Sequence, residues 1–215
     1  MKNRLKGRIV SRLIDRKRGN WKMPELSRRE RKKLETRDRI YSSAMQLFQM
    51  QGFEETSIEQ ITQRADVGKG TFYNYFTSKE AVVMEFSTQG FKNLLNSERE
   101  KPYSGLRDRL NILLQDWATF MIDNHEMAWV TVRNRDGADY DLGLHYGIQA
   151  ILNLGQKNGE ISRSFDSAFL AESLEGMMLQ HFMSWYVSKK GDLLEEMKMV
   201  LLVFLDGLVE VKLQA

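Results

Sequence analysis

The chain has 215 residues, 42% of them apolar and 28% charged, with two prolines and no cysteine. That is the balance of a folded globular protein with a sizeable core, and it excludes a disulfide framework, thiolate metal sites and a thiol nucleophile. His125, His145 and His181 show no zinc-binding spacing, and the longest strongly apolar run, Val200 to Leu205, is six residues, far short of the roughly 20 that a membrane span needs.

Charge is uneven. Residues 1–39 hold 16 Lys and Arg against 5 Asp and Glu, a net of +11, whereas the remainder holds 16 against 24, a net of −8. A basic front on an acidic body suits a polyanion contact at one end, although a solvated basic tail has the same composition. The prolines, Pro24 and Pro102, leave runs of 77 and 113 residues free of proline. Apolar positions recur at three and four residues without sustained alternation, so the fold is read as all-α.

Residues 1–22 form a basic N-terminal extension in which nine Lys and Arg face one acid, Asp15. No continuous apolar core of a secretory signal is present. Three readings stand: a flexible arm tracking phosphates, a segment lying on anionic membrane, or a reading frame extended upstream of a start at Met23. The last is preferred, because Met23-Pro24 is followed at once by a helix start.

That start is Ser27-Arg28-Arg29-Glu30, a capping box. Behind it Ile40, Ala44, Leu47 and Phe48 fall on one apolar face, and Gly52 closes the helix as a left-handed residue. Ser57 and Gln60 form a second capping box before a short helix with Ile58, Ile61 and Ala65 on its buried side. Asp66-Val67-Gly68-Lys69-Gly70 makes a tight turn. A third short helix follows over 71–76, anchored by Phe72 and Phe76, and Thr77-Ser78-Lys79-Glu80 caps a longer fourth helix running towards Asn96. Two short helices joined by a Gly-containing turn make a helix-turn-helix.

Helix N-termini present free amides to phosphate, which places Ser57 and Ser78-Lys79 as phosphate-facing ends. Lys69, Thr71 and Asn74 suit base edges: Lys donates to guanine, Asn pairs with adenine, and the Thr methyl meets a thymine methyl. Tyr73 and Tyr75 carry hydroxyls at phosphate reach, and Gly70 lets backbone come close. Singly, each residue is an ordinary surface or half-buried side chain. Their order and spacing carry the reading.

The stretch from Ile40 through Gly52-Phe53, Thr56-Ser57-Ile58 and Ala65-Asp66-Val67-Gly68-Lys69-Gly70-Thr71-Phe72-Tyr73-Asn74-Tyr75-Phe76 to Ser78-Lys79-Glu80 resembles the DNA-binding domain of the TetR family of transcriptional regulators over about 28–85. The resemblance implies a homodimeric repressor released from its operator by a small ligand. By position it implies a phosphate contact at Ser57, recognition-helix contacts at Lys69, Gly70, Thr71, Tyr73, Asn74 and Tyr75, and a phosphate-binding Lys79. The extra basic segment 1–22 departs from many members.

The expected organisation is the extension 1–22, a helix-turn-helix domain over 23–80, and a larger helical ligand-binding and dimerisation domain over 81–215. In the last, helices are read at about 104–123, 125–135, 140–157, 167–188 and 192–213, punctuated by Asp136-Gly137, Asn158-Gly159 and Lys190-Gly191-Asp192. In the last helix Leu194, Met197, Leu201, Phe204, Leu208 and Val211 form a narrow seam, read as a dimer interface in which the last two helices pair with their copies. A purely internal core helix is the alternative.

Trp117, Phe120, Met121, Trp129, Met177, Met178, Phe182 and Met183 are candidate lining for an apolar effector pocket. An ordinary core stripe has the same spacing. His181 is read as a core or interface residue, and Arg133 and Arg135 as solvated partners of Asp136 and Asp139. No nucleophile–base set, phosphate loop or metal spacing marks an enzyme. No cofactor, metal or stable membrane association is expected, and the partners are double-stranded DNA, a small apolar effector and a second copy, in the cytoplasm. The competing reading is a helical ligand-binding protein or enzyme whose basic N-terminus binds nucleic acid or membrane without specificity.

Overall fold

The structure is a computed structural model that describes residues 27–134 and 143–206. Among these residues it has nine helices and no strand: α1 (Arg28–Gln51), α2 (Ile58–Arg64), α3 (Lys69–Tyr73), α4 (Lys79–Glu100), α5 (Leu106–Asp123), α6 (His125–Arg133), α7 (Leu144–Asn158), α8 (Ser167–Ser188) and α9 (Leu193–Asp206). The chain divides into two compact units, one ending at Asp38 and one beginning at Arg39.

In the first unit the described residues are the opening turns of α1. Ser27 Oγ accepts from the Glu30 amide at 3.2 Å while Glu30 Oε2 accepts from the Ser27 amide at 3.0 Å, so the predicted capping box is present. These bonds hold the Glu30 carboxyl below its usual range.

The second unit contains two hydrophobic cores. The first is built from Ile40, Ala44, Leu47 and Phe48 of α1, Phe53, Ile61, Phe72, Phe76 and Val82. Ile40, Ala44, Ile61 and Phe72 are wholly buried there, and burying a side chain such as Ile or Phe contributes about 1.5–3 kcal/mol. Met127 and Val130 of α6 complete this core. The second core is formed by α5, α7, α8 and α9 with Phe91 of α4. The expected boundary near residue 80 therefore lies inside one compact unit, because α4 runs on without interruption and α6 contributes to both cores.

Local signals in the sequence have their physical counterparts. Gly52 sits at φ +85° after α1, and Gly159 at φ +76° after α7. Asp166 Oδ1 accepts from the amides of Ala168 and Phe169, which fixes the start of α8. In the turn between α2 and α3 the left-handed residue is Asp66, at φ +51°, and neither glycine. Gly68 is the extended residue before α3, and Gly70 lies within that helix.

The last helix differs from its reading. Met197, Leu201 and Phe204 are buried in the protomer's own core, where α9 packs on α5 and α8, and Leu194 is half-buried against it. Leu208 and Val211 lie outside the described residues. The apolar side chains that α9 turns outwards are Met199, Leu202 and Val203, joined on α8 by Phe169 and Val187.

Candidate functional site

The helix-turn-helix stands on α2 and α3. Ser57 Oγ accepts from the Gln60 amide and Gln60 Oε1 accepts from the Ser57 amide at 2.8 Å, so the second capping box closes. Ser57 is thereby a half-exposed cap residue. On α3, Phe72 is wholly buried while Tyr73 is 54% exposed, and their rings meet edge-on at 5.5 Å. Lys69, Gly70 and Asn74 are exposed; Thr71 and Tyr75 are half-buried, Tyr75 against the first core. A Cβ on Gly70 would meet nothing within 4 Å, so this face is open. The predicted recognition residues thus share one short segment, with the apolar anchors turned inwards.

Charge on this face is partly spent. Lys69 pairs with Glu59 of α2, and that bond holds the Glu59 carboxyl below its usual range. Lys79 is more fully engaged. Its ammonium donates to the carbonyls of Phe53, Glu54 and Thr56 at 2.8, 3.2 and 3.1 Å and lies 4.3 Å from the centre of the Phe53 ring. An ammonium has three N–H donors, and here each has an acceptor. Lys79 therefore braces the turn between α1 and α2. A residue 23 to 26 positions away gives no local signal of this role in the sequence.

The predicted pocket residues separate. Trp117 and Met121 line a narrow cavity in the second core, together with Ser87, Phe91, Ala128, Thr131, Val132, Leu144, Glu175 and Leu179. Its free volume is about 10 Å³, the room of one water. Met178 and Phe182 are wholly buried core, with the Phe182 ring 6.3 Å from Trp117. Phe120 lies between Phe86 and Phe91, and Met177 and Met183 are half-buried against the same core. Trp129 goes elsewhere. It stacks on Tyr186 at 4.6 Å in a separate groove of about 250 Å³ with Gly52, Phe53, Glu54 and Glu126. Burial, with Glu126 adding to it, raises the Tyr186 hydroxyl pKa.

Several polar residues escaped sequence reasoning. Ser87 and Thr131 share a buried hydroxyl–hydroxyl bond of 2.6 Å across α4 and α6, 44 residues apart in the chain. Glu98, 2% exposed, is paired with Arg109 across α4 and α5. Arg133 pairs with Glu54 at 3.1 Å; Arg135, Asp136 and Asp139 lie outside the described residues. His181 Nδ1 is 2.8 Å from Glu196 Oε2, linking α8 to α9 at the surface rather than facing the cavity. Among the described residues no three His, Asp or Glu side chains converge as metal ligands would, and no helix is long and apolar enough to cross a membrane.

A helix-turn-helix whose outer face is polar and whose inner face is aromatic core has the layout found in helix-turn-helix nucleic-acid-binding proteins. Residues 40–86 match the family model described as bacterial regulatory proteins, tetR family. Over 56 residues it is 43% identical to the HTH-type transcriptional regulator TcmR of Streptomyces glaucescens, covering 26% of this chain and 25% of that protein. Over 154 residues it is 30% identical to the HTH-type transcriptional regulator YuxN of Bacillus subtilis, covering 66% of this chain and 53% of that protein. The matches thus span a quarter and about half of these relatives' lengths. Beyond the matched segment the likeness is one of fold. Thermus thermophilus FadR, a TetR-family repressor solved with lauroyl-CoA, superposes with a TM-score of 0.72 at 24% identity, covering 83% of this chain and 98% of that one.

Proposed function

We propose that this protein is a sequence-specific DNA-binding transcriptional regulator, a homodimeric repressor released from its operator by a small, largely apolar ligand. The observation that carries the reading is the division of α3. Phe72 anchors it from inside, while Lys69, Tyr73 and Asn74 stand exposed on a segment that matches a regulator family. The relatives are named as transcriptional regulators, which favours a binding protein over an enzyme.

The second copy would pair through Phe169 and Val187 of α8 and Met199, Leu202 and Val203 of α9, which otherwise leave apolar surface in water. A two-fold dimer sets its two α3 helices to read half-sites about 34–36 Å apart. Residues 1–22 remain the basic extension, 23–80 the DNA-binding part and 81–215 the ligand-binding and dimerisation part in this scheme.

Coupling would run through α6. Met127 and Val130 pack in the first core, whereas Ala128, Thr131 and Val132 line the cavity in the second. A ligand that widens the cavity pushes on α6 and, through it, on the core that seats α1 to α3. It releases DNA only so far as it binds the displaced arrangement better than the operator-bound one. Lauroyl-CoA in the FadR complex sets a precedent for an effector that carries an apolar chain.

The test is operator binding by Tyr73→Ala. Tyr73 is exposed, so the fold and dimer should survive. Specific affinity should drop about tenfold or more, the worth of one recognition-helix contact. Unchanged affinity in a folded variant would sink the assignment.

A further inference from the structure

We propose that the cavity beneath α6 recognises a neutral ligand by a hydroxyl group, an alcohol or phenol, with the Trp117 indole N–H as donor to it and Ser87 Oγ as acceptor from it. The inference rests on the ligand-responsive reading above and specifies its chemistry.

Trp117 is 1% exposed, and its Nε1 has no hydrogen-bond acceptor among the described residues. A buried donor without a partner is destabilising, and such a group is rare in a folded core. The indole lines the cavity, so an acceptor placed there would meet this need.

The hydroxyl pair of Ser87 and Thr131, which also lines the cavity, has a fixed polarity. Thr131 Oγ1 donates to the Met127 carbonyl at 2.9 Å, which uses its one hydrogen. Ser87 must then be the donor in its 2.6 Å bond to Thr131. Both hydrogens are spent, and Ser87 Oγ keeps a lone pair to accept with.

The cavity thus offers the indole N–H as donor and the Ser87 hydroxyl as acceptor, with the Glu175 carboxylate also in its lining, amid Phe91, Met121, Val132 and Leu179. A hydroxyl answers both, a hydrocarbon neither, and a carbonyl only the first. An anion is disfavoured because no Lys, Arg or His is among the described residues that line the cavity, whereas Glu175, 3.6 Å from His145, is. The existing room is about that of one water. A ligand hydroxyl can make the hydrogen bonds that these polar atoms call for, which a hydrocarbon cannot. The remainder of the ligand enters by displacing side chains, of which Met121 is the most adaptable.

The experiment uses the full chain and three probes of similar size: phenol, toluene and benzoate. Affinity is read by titration in the proton–nitrogen NMR spectrum, following the Trp117 indole N–H, assigned by its loss in Trp117→Phe. Phenol should shift that signal and bind about tenfold more tightly than toluene, with benzoate weaker still. In Trp117→Phe, followed through the backbone amide signals that the ligand shifts, the preference of phenol over toluene should fall while toluene still binds. Ser87→Ala should reduce the same preference in a chain whose core aromatics are intact. Equal binding of phenol and toluene by the natural sequence, a preference undiminished in Trp117→Phe, or no phenol binding would overturn the proposal. DNA release is measured separately. Phenol selectivity without effect on operator binding would refute the regulatory reading and leave the pocket chemistry standing. Operator binding without phenol selectivity would do the reverse.

Discussion

Replacing Lys79 with Met separates two roles that a lysine at the start of α4 could fill. Met keeps most of the aliphatic stem and removes the ammonium. Of the three carbonyls that lose a donor, Phe53 O keeps the amide of Thr56 at 3.3 Å, and Glu54 O lies at the surface, where water takes over. The uncompensated loss falls mainly on Thr56 O. A hydrogen bond to a charged group contributes about 1.5–3 kcal/mol. With one half-exposed ammonium shared three ways we expect about 2 kcal/mol in all, and the contact with the Phe53 ring adds about 0.5 kcal/mol. For a chain of this size that is a melting midpoint lower by roughly 5–10 °C. The assay is thermal unfolding of the two proteins, paired with operator affinity across a salt series. A brace predicts a lowered midpoint and weaker binding with an unchanged salt slope. A phosphate contact predicts an unchanged midpoint and a slope shallower by about 0.9. The second outcome would refute the assignment of Lys79 as a structural brace.

Three further perturbations follow from the geometry. Glu59→Gln frees Lys69 from its partner, so DNA affinity at low salt should rise and the salt slope steepen by about 0.9, read by fluorescence anisotropy. Gly90→Ala puts a Cβ 2.4 Å from the Phe120 ring, which Phe86 and Phe91 flank at 5.6 and 5.4 Å. With little room to swing aside, the ring makes this overpacking cost about 1–3 kcal/mol in urea unfolding. Burial, with the Glu98 carboxylate next, pushes the Tyr103 hydroxyl up from 10.0 to about 12. The folded protein holds that proton more tightly than the unfolded chain, so the stabilisation is complete below pH 10.0 and is lost as pH rises through about 12. Tyr103→Phe should remove this alkaline loss, together with one late-titrating tyrosine in the ultraviolet difference spectrum.

Local chemistry was the most legible part of the sequence. Capping residues and left-handed glycines act within a few positions, so Ser27, Gly52, Ser57 and Gly159 marked helix ends that the structure bears out. Apolar spacing likewise told which side of α1 and α3 is buried. It could not tell against which chain a face is buried. The seam of Met197, Leu201 and Phe204 has coiled-coil spacing, yet it packs on α5 and α8 of the same protomer. The left-handed turn residue was hidden because Asp66 tolerates a conformation more often given to glycine. The cavity was the least legible feature. Aromatic and Met stripes read alike whether they line a pocket or fill a core, and Trp129 faces a different groove from Trp117. Ser87, Thr131 and Glu175 sit far apart in the chain and meet only once α4, α6 and α8 have packed.

The central claim is that this chain reads DNA sequence. Its most direct test is titration of the purified protein against fragments tiling the DNA upstream of its own gene, near physiological salt with excess competitor, since basic proteins bind any DNA when salt is low. A version beginning at Met23 runs alongside. The account predicts saturable, competitor-resistant binding of one palindromic fragment by both forms. Binding by the full-length form alone, spread evenly over the fragments and lost to competitor, would contradict it and move the activity to residues 1–22.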